Sequence, residues 1–273
     1  MRIIRSLSLL GLAVALLGGS GCALAPQTTA LQHVHQTYDD DFAALNLPAP
    51  VETGVPAAPT PATAPAFARS LQAIRDFRLQ FPQAAPELAH LQVLEGMIYL
   101  QSGRLGLAEA VAGAVVEAAG KLSSATGRTV RDQLLARDFR PLLVGWTEIR
   151  EYDDKNSATI AEWRKLETAA NALRDDLKQL TPRQLADPEA DQGAIYVANT
   201  AAIFYVWAFK LRAEENVPGT DEAKRQWYAD GQKLIGRFLT DAEKSPAAAR
   251  EAGPEAPGRW RYVRWYHWLG SQL

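Results

Sequence analysis

The chain has little of what covalent or metal-dependent chemistry requires. It contains one Cys and four His in 273 residues, which excludes an internal disulfide framework and a multi-cysteine zinc site and argues against a histidine-rich metal centre. It also lacks an excess of basic charge. With 29 Lys and Arg against 31 Asp and Glu the formal net charge is −2, unlike that of typical nucleic-acid-binding proteins. Because 47% of the residues are hydrophobic, extended disorder is excluded as well.

Familiar catalytic motifs are missing too. The sequence contains no His-Glu-x-x-His, no Gly-x-Ser-x-Gly, no phosphate-binding Gly-rich loop with Lys and no Cys-x-x-Cys-His. Carboxylate pairs such as Asp153-Asp154 and Asp175-Asp176 are adjacent in the chain, and adjacent residues of a helix point in different directions. We therefore expect no catalytic residue, no metal and no cofactor. A hydrolase acting on peptidoglycan would need a cleft with perturbed carboxylates, which the sequence does not indicate.

The N-terminus has the pattern of a signal peptide over residues 1–21. Arg2 and Arg5 precede an apolar run, Leu7–Leu17, that is too short to span a bilayer as a helix. The run ends in Gly18-Gly19-Ser20-Gly21, and Cys22, the single cysteine, follows directly. This arrangement resembles the lipobox of bacterial lipoproteins, although Gly19 stands where that family usually has Leu.

The resemblance to lipoproteins implies that Cys22 becomes the first residue of the mature chain and carries covalent diacylglycerol and an N-acyl chain. Cys22 is followed directly by Ala23, which resembles the pattern of lipoproteins that are sent to the outer membrane of Gram-negative bacteria. This resemblance implies that the domain faces the periplasm. Two alternatives stay open: an ordinary secretory signal cut after Ala25, and a structural role for Cys22.

Residues 22–66 are predicted to form a lipid-anchored tether. Six Pro between Pro48 and Ala66, mixed with Ala and Thr, favour extended conformations and cannot build a core. Within this segment His33 and His35 precede an acidic run, which is compatible with a metal ion, with a partner-binding motif over Gln36–Leu45, or with a solvated polar segment.

From residue 67 to 273 the pattern predicts an all-α domain, because apolar residues recur at steps of three and four and no run alternates with period two. Predicted helices follow Phe67–Phe81, 87–102, 104–119, 160–180, a short capped turn at Thr181-Pro182, a segment from Asp187-Pro188, and 221–242. The region 121–155 is open between a loop and several short helices, because Gly127, Pro141 and Gly145 interrupt its periodicity. The segment 193–211 is apolar nearly all round, but Asn199 and Thr200 interrupt it, so a buried central helix is favoured over a membrane span.

A helical pair at residues 87–120 carries an internal family signal. Gly96, Tyr99, the turn at Gly103 and Ala108 resemble the small residue, aromatic, turn and close-packing Ala of a tetratricopeptide helix–turn–helix. The resemblance covers about 67–120, and a generic helical hairpin is the alternative. It implies either stacked helical hairpins in a solenoid or a compact bundle.

The last helix region combines aromatic and basic residues. Residues 259–268 contain three Trp, two Tyr and three Arg. Three interpretations stay open: a final helix packed across the core, a docking surface, or contact with lipid headgroups or nucleic acid. The third interpretation, lipid headgroups or nucleic acid, is the least consistent of these, since the rest of the chain is acidic. The candidate partner-binding residues from both regions are Tyr99, Arg104, Trp260, Arg264, Trp265 and Trp268.

A lipobox, a tether and tetratricopeptide-like helices together resemble the helical-repeat lipoproteins of the Gram-negative envelope. That class includes the assembly lipoprotein of the β-barrel machinery and the pilus-biogenesis pilotins, and it implies binding of partner proteins on a helical face. The expected function is a non-enzymatic envelope scaffold or adaptor. The alternative is a permanent subunit of a large membrane complex, held by helix 193–211 and the C-terminal cluster.

Overall fold

A computed structural model describes residues 26–44, 67–122, 127–155, 160–214, 221–241, 253–254 and 259–273. The described residues form helices and connecting turns with no strand, which confirms the all-α prediction. The signal peptide, Cys22 and the Pro-rich stretch 45–66 lie outside the described residues. The helices are α1 (Pro26–Ala44), α2 (Ala68–Gln80), α3 (Ala85–Gln101), α4 (Leu105–Ala118) with a 3-10 turn (Ala119–Lys121), α5 (Gly127–Lys155), α6 (Ile160–Leu177), α7 (Pro182–Leu185), α8 (Pro188–Glu214), α9 (Asp221–Asp241) and α10 (Arg259–Gly270).

Helix α1 corrects the tether prediction for residues 26–44. These residues form a helix that packs on α2 and buries Val34 to 1% exposure. Leu31, Val34 and Tyr38 recur at steps of three and four and contribute to a small apolar core with Phe67 of the α2 N-terminus. Because polar, histidine and acidic residues lie around these three, the apolar periodicity is difficult to recognise in the sequence. The folded domain therefore includes α1.

The helices α3 and α4 form the predicted hairpin. Gly103 at their turn has φ 66°, a backbone conformation that Gly adopts without steric penalty. A Cβ added to Gly96 would lie 2.7 Å from Val115 Cγ2 and 2.8 Å from Phe139 Cε2. Gly96 thus permits the close approach of α3 to α4 and to α5, and Ala108 is fully buried.

Residues 127–155 form one continuous helix. Helix α5 accommodates Pro141 in its interior, where Pro lacks the N–H that would bond to the carbonyl one turn earlier. Gly145 lies so close to the ring of Phe204 on α8 that a Cβ at this position would overlap the ring. Pro141 and Gly145, which interrupt the helical periodicity of the sequence, therefore both lie inside the helix.

Helix α8 is the centre of the bundle and packs on α5, α6 and α9. One described helix, over Pro188–Ala213, is long and apolar enough to cross a bilayer, but 78% of its most apolar window is buried within the chain. The two polar interruptions have partners: Asn199 Oδ1 accepts from the Tyr262 hydroxyl at 2.8 Å, and Thr200 Oγ1 donates to the Tyr196 carbonyl at 2.9 Å. Helix α8 is therefore buried to the extent expected of a core helix.

The short connections around α7 are capped as the sequence predicts. Thr181 and Gln184 form a reciprocal capping box at the start of α7. Asp187 Oδ1 accepts from the Glu189 backbone N–H at 2.9 Å, which caps α8 beside Pro188. Thr220, the predicted cap of α9, lies outside the described residues. These caps place the N-terminus of α8 beside that of α5, where Arg128 bonds to Glu189.

Candidate functional site

The predicted binding residues Tyr99 and Arg104 are engaged within the chain. Tyr99 is half-buried and its hydroxyl donates to Glu95 Oε1 at 3.1 Å. Burial and the adjacent Glu95 raise its pKa. Glu95 in turn pairs with Arg78 of α2 at 2.7 Å. Arg104 is half-buried at the start of α4 and makes its own contact inside the chain. These residues fix the hairpin to α2 and do not form an open groove.

The outer face of α4 is exposed and made of small and apolar residues. Leu107 is 49% exposed. Cβ atoms added at Gly106 or Gly113 would meet no atom within 4 Å. Ala110 and Ala114 are also exposed and continue the same face. No described element packs on this face, and the absence of large side chains would let the backbone of another helix approach closely.

Helix α10 divides the predicted C-terminal cluster into buried and exposed parts. Trp265 is 4% exposed and packs edge-on against Tyr262, which is fully buried. Trp268 is half-buried against Tyr228 of α9, at 5.8 Å between ring centroids. Arg264 is exposed and has a contact within the chain. The side chain of Trp260 lies outside the part of the helix that the structure describes.

An open groove lies where α9 meets α10. Its volume is about 500 Å³, and its lining includes Lys233, Arg237 and Tyr266. Gly236 forms part of the groove wall, since a Cβ there would lie 3.1 Å from Tyr266 Cε2. The buried ring of Trp265 belongs to the core side of α10, so an accessible surface here consists of the groove and Arg264.

A buried polar cluster joins α1, α3, α5 and α8. Asp132 of α5 is 3% exposed. Its Oδ2 lies 2.7 Å from His90 Nδ1 and its Oδ1 accepts from Arg131 Nε at 2.8 Å. Burial alone would raise the pKa of Asp132, but the hydrogen bonds from His90 and Arg131 outweigh burial and hold the pKa below its usual range. Because Asp132 is ionised and can only accept, His90 Nδ1 carries the hydrogen of that bond.

His35 of α1 lies against this cluster. Its ring atom Nε2 is buried and has no hydrogen-bond partner among the described residues. Beside it, Arg128 donates to both oxygens of Glu189 at 3.1 and 3.0 Å. Burial and then the charges of Arg128 and Arg131 lower the pKa of His35 to about 4. His35 is therefore neutral at pH 7.

His33 and His35 have different surroundings. His33 is exposed and lines a groove of about 620 Å³ between α1 and α2, whereas His35 faces the buried cluster. No group of three or more potential metal ligands occurs within the described ranges. Within the acidic run after His35, Asp41 has a structural role.

Asp41 supplies the N-terminal cap that α2 lacks. The residue at the cap position, Phe67, has φ 60° and makes no side-chain cap bond. Asp41 Oδ2 instead accepts from the Ser70 backbone N–H at 3.0 Å and from the Ser70 hydroxyl at 2.7 Å, while Oδ1 accepts from Arg69. Although burial would raise it, these bonds lower the pKa of Asp41. Tyr38 stacks on Phe67 at 5.6 Å between centroids, which holds the strained residue in place.

A perturbed carboxyl group lies between α5 and α6. Asp138 is 1% exposed, and burial followed by the hydrogen bond and charge of Asp176 raises its pKa to about 9. A protonated Asp138 can donate a hydrogen bond to Asp176, which explains how a carboxyl group without any other partner among the described residues tolerates burial. Neither residue lines either of the two grooves described above. The pair therefore lacks the cleft that a carboxylate hydrolase requires.

Sequence reasoning did not identify the buried cluster or the Asp41 cap. Their members come from four helices that are far apart in the chain, and only the docking of α1 brings them together. The stripe of Leu31, Val34 and Tyr38 was the available signal, since an amphipathic helix there would place His35 and Asp41 at the edges of a buried face.

No protein-family model, curated protein or solved structure matches the chain. The resemblances to the lipobox and to the tetratricopeptide hairpin remain predictions from the motifs themselves.

Proposed function

We propose that the chain is a non-enzymatic, lipid-anchored scaffold of the Gram-negative outer membrane that binds another envelope protein on a helical face. The outer face of α4 is the observation that supports this function best. It lies within the region 87–120 for which the sequence indicates a binding surface, and it is apolar although Leu107 is 49% exposed. Exposed contiguous apolar surface is typical of protein interaction sites.

The chemistry of the α4 face favours a helical partner. Gly106, Ala110 and Gly113 leave room for a second helix to pack with its backbone close, and Leu107 can insert between side chains of that helix. Glu109 and Glu117 are exposed acids of the same helix, and Glu117 pairs with Lys121 at 2.8 Å. A partner helix with an apolar stripe and a basic edge would complement this face.

The anchor places the domain close to the membrane. Cys22 precedes the first residue of α1, Pro26, by four positions, a distance of at most about 14 Å in extended chain. A scaffold that is acylated at Cys22 therefore presents α1 and its neighbours near the lipid surface. This differs from a domain held off by a tether of forty residues.

The alternative function, a permanent subunit of a membrane complex, relies on residues 193–211 as a contact surface. Positions 201–209 are all buried within the chain itself. Trp265 is buried as well. The surfaces that would hold such a subunit are therefore occupied internally, which favours the scaffold.

The test compares two leucines that differ in their surroundings. Leu107→Arg places a charge on the α4 face, and Leu79→Arg makes the same change on α2, where Leu79 is 81% exposed. Full-length variants are affinity-purified from detergent extracts of their own membranes and the co-purifying proteins are quantified by mass spectrometry. We expect a stoichiometric partner that Leu107→Arg loses at least about tenfold and Leu79→Arg retains.

The same samples test the anchor. The mass of the mature N-terminus shows whether Cys22 is acylated, and Cys22→Ala is expected to leave the membrane fraction while still binding the partner in detergent. Equal recovery of the partner by Leu107→Arg and wild type contradicts the α4 face. An unmodified Cys22 contradicts the anchor.

A further inference from the structure

Helix α1 contacts the rest of the domain through one apolar face and through three polar residues, Asp41, His35 and Tyr38. Near its end, Asp41 caps α2 through Ser70. In its middle, His35 faces the buried cluster. Between them the Tyr38 hydroxyl donates to Gln101 Oε1 of α3 at 2.8 Å. Residues 45–66 connect α1 to the turn before α2, and α1 shares no helix with the rest of the domain. It can therefore leave its site without breaking another described helix.

In the docked state no described group accepts a hydrogen bond from His35 Nε2. Arg128 and Arg131 face it from α5, together with Asp132, and Glu189 faces it from α8. Asp132 uses one oxygen for His90 of α3 and the other for Arg131, and Glu189 uses both for Arg128. A protonated His35 would therefore add a third cation beside two guanidinium groups whose carboxylates are already bonded.

We infer that α1 is a pH-sensitive strap, which stays docked while His35 is neutral and is released when His35 takes up a proton. The geometry that carries this inference is the buried and unpartnered Nε2 atom of His35, which lies near the guanidinium groups of Arg128 and Arg131 where α1 packs on the domain. The inference holds whether or not Cys22 carries lipid.

The direction of the pH dependence follows from proton linkage. The docked state holds the pKa of His35 at about 4, below the ordinary value of 6.5, so the released state binds the proton more strongly. Docking is strongest above pH 6.5 and weakens by up to about tenfold per pH unit below it. At pH 4 the docking equilibrium has changed by about 160-fold, and it approaches roughly 300-fold below that pH.

Release would uncover an apolar surface. Val34 of α1 is 1% exposed and belongs to the same small core as Ile74 and Phe77 of α2. Tyr38 covers Phe67. At acid pH these α2 side chains would lose their cover while the main core around α8, which does not include α1, stays closed.

Hydrogen exchange measured by mass spectrometry on the full chain in detergent tests the strap. Peptides from α1 are compared with peptides from α8 at pH 7.0 and pH 4.5, after correction for the intrinsic pH dependence of exchange. We expect α1 protection to fall by about 50- to 100-fold at pH 4.5 while α8 protection is unchanged. Constant protection of α1, or an equal loss in α8, overturns the inference.

Two neighbouring histidines provide the matched variants. His35→Gln cannot take up a proton and is expected to keep α1 protected at both pH values, whereas His33→Gln changes an exposed residue of the same helix and should behave as wild type. An acid-induced loss that persists in His35→Gln contradicts the role of His35. An NMR titration of the wild-type imidazole decides the case if His35→Gln fails to dock, because a His35 pKa of 6.5 or above overturns the strap.

Discussion

At the residue scale, the Asp138 carboxyl makes the strongest link between structure and stability. Its pKa of about 9 lies far above the ordinary 3.8, so the folded chain retains a proton that the unfolded chain releases above pH 4. The free energy of unfolding therefore falls as the pH rises through this window, by at most about 1.4 kcal/mol per unit. The contribution is fully present only at acid pH.

Replacing Asp138 by Asn should remove that pH dependence. The Asn side chain cannot ionise, and its N–H can donate to Asp176 as the protonated carboxyl does. We expect Asp138→Asn to raise the free energy of unfolding at pH 8 by on the order of 3 kcal/mol, and by less at pH 5. Urea unfolding at both pH values measures this difference.

The neighbouring carboxylate is the control for Asp138→Asn. Asp175 has a side chain that is 58% exposed and pairs with Lys178, so Asp175→Asn should change stability little at either pH. If Asp138→Asn leaves the pH slope of wild type intact, the carboxyl is ionised in the folded chain and its assignment as a buried acid is wrong.

At the element scale, two glycines test how closely the helices pack. Gly145 of α5 lies against the Phe204 ring of α8, with no space for a Cβ, whereas Gly113 of α4 has open space around it. We expect Gly145→Ala to destabilise the fold by about 2 kcal/mol through overpacking. Gly113→Ala should stabilise it by about 0.5–1 kcal/mol, because Ala is the better helix former.

Both substitutions are the same chemical change inside a helix, so opposite signs isolate the packing contribution. Chemical unfolding at pH 7 gives the two free energies. A gain in stability for Gly145→Ala would mean that α5 and α8 are separated by at least a methyl group more than the structure has. A loss for Gly113→Ala would mean that another part of the chain covers α4.

The elements that sequence predicted are those whose apolar stripe is regular. Phe67, Ile74 and Phe77 of the α2 region are buried as their spacing indicates, and α6 follows its own stripe from Ile160. Pro141 and Gly145 indicate a break by local rules, but packing of α5 against α4, α6 and α8 outweighs the cost of both. Helix propensity alone could not reveal this, because the compensating contacts come from distant residues.

The candidate sites were predictable only in part for the same reason. The sequence named Arg264 among the candidate binding residues of the C-terminal helix, and the structure has it exposed. Spacing could not distinguish Trp265, which is buried, from a docking residue. Burial of Asp132 and the surroundings of His35 depend on which helices meet, and periodicity carries no information about that.

At the scale of the whole molecule, α1 determines how far the domain lies from its proposed anchor. With α1 docked, three residues separate Cys22 from Pro26, whereas after release the connection to the folded part runs from Cys22 to Phe67. A coil of that length has an r.m.s. span of about 40 Å. On the proposed anchor, release of α1 by acid would let the domain reach further from the membrane.

Energy transfer between the domain and a lipid bilayer measures this change in reach. Cys22 is the only Cys of the chain, so when it is acylated a Leu79→Cys variant offers a single thiol for a donor dye on a side chain that is 81% exposed. The labelled protein is placed in vesicles that contain an acceptor lipid. We expect transfer efficiency to fall reversibly between pH 7.5 and 4.5, because protonation of His35 releases α1 and the domain moves away from the surface.

The same variant with His35→Gln should keep its high transfer at both pH values. Constant transfer in the wild-type background, combined with acid-induced exchange in α1, would show that the strap opens without extending the anchor.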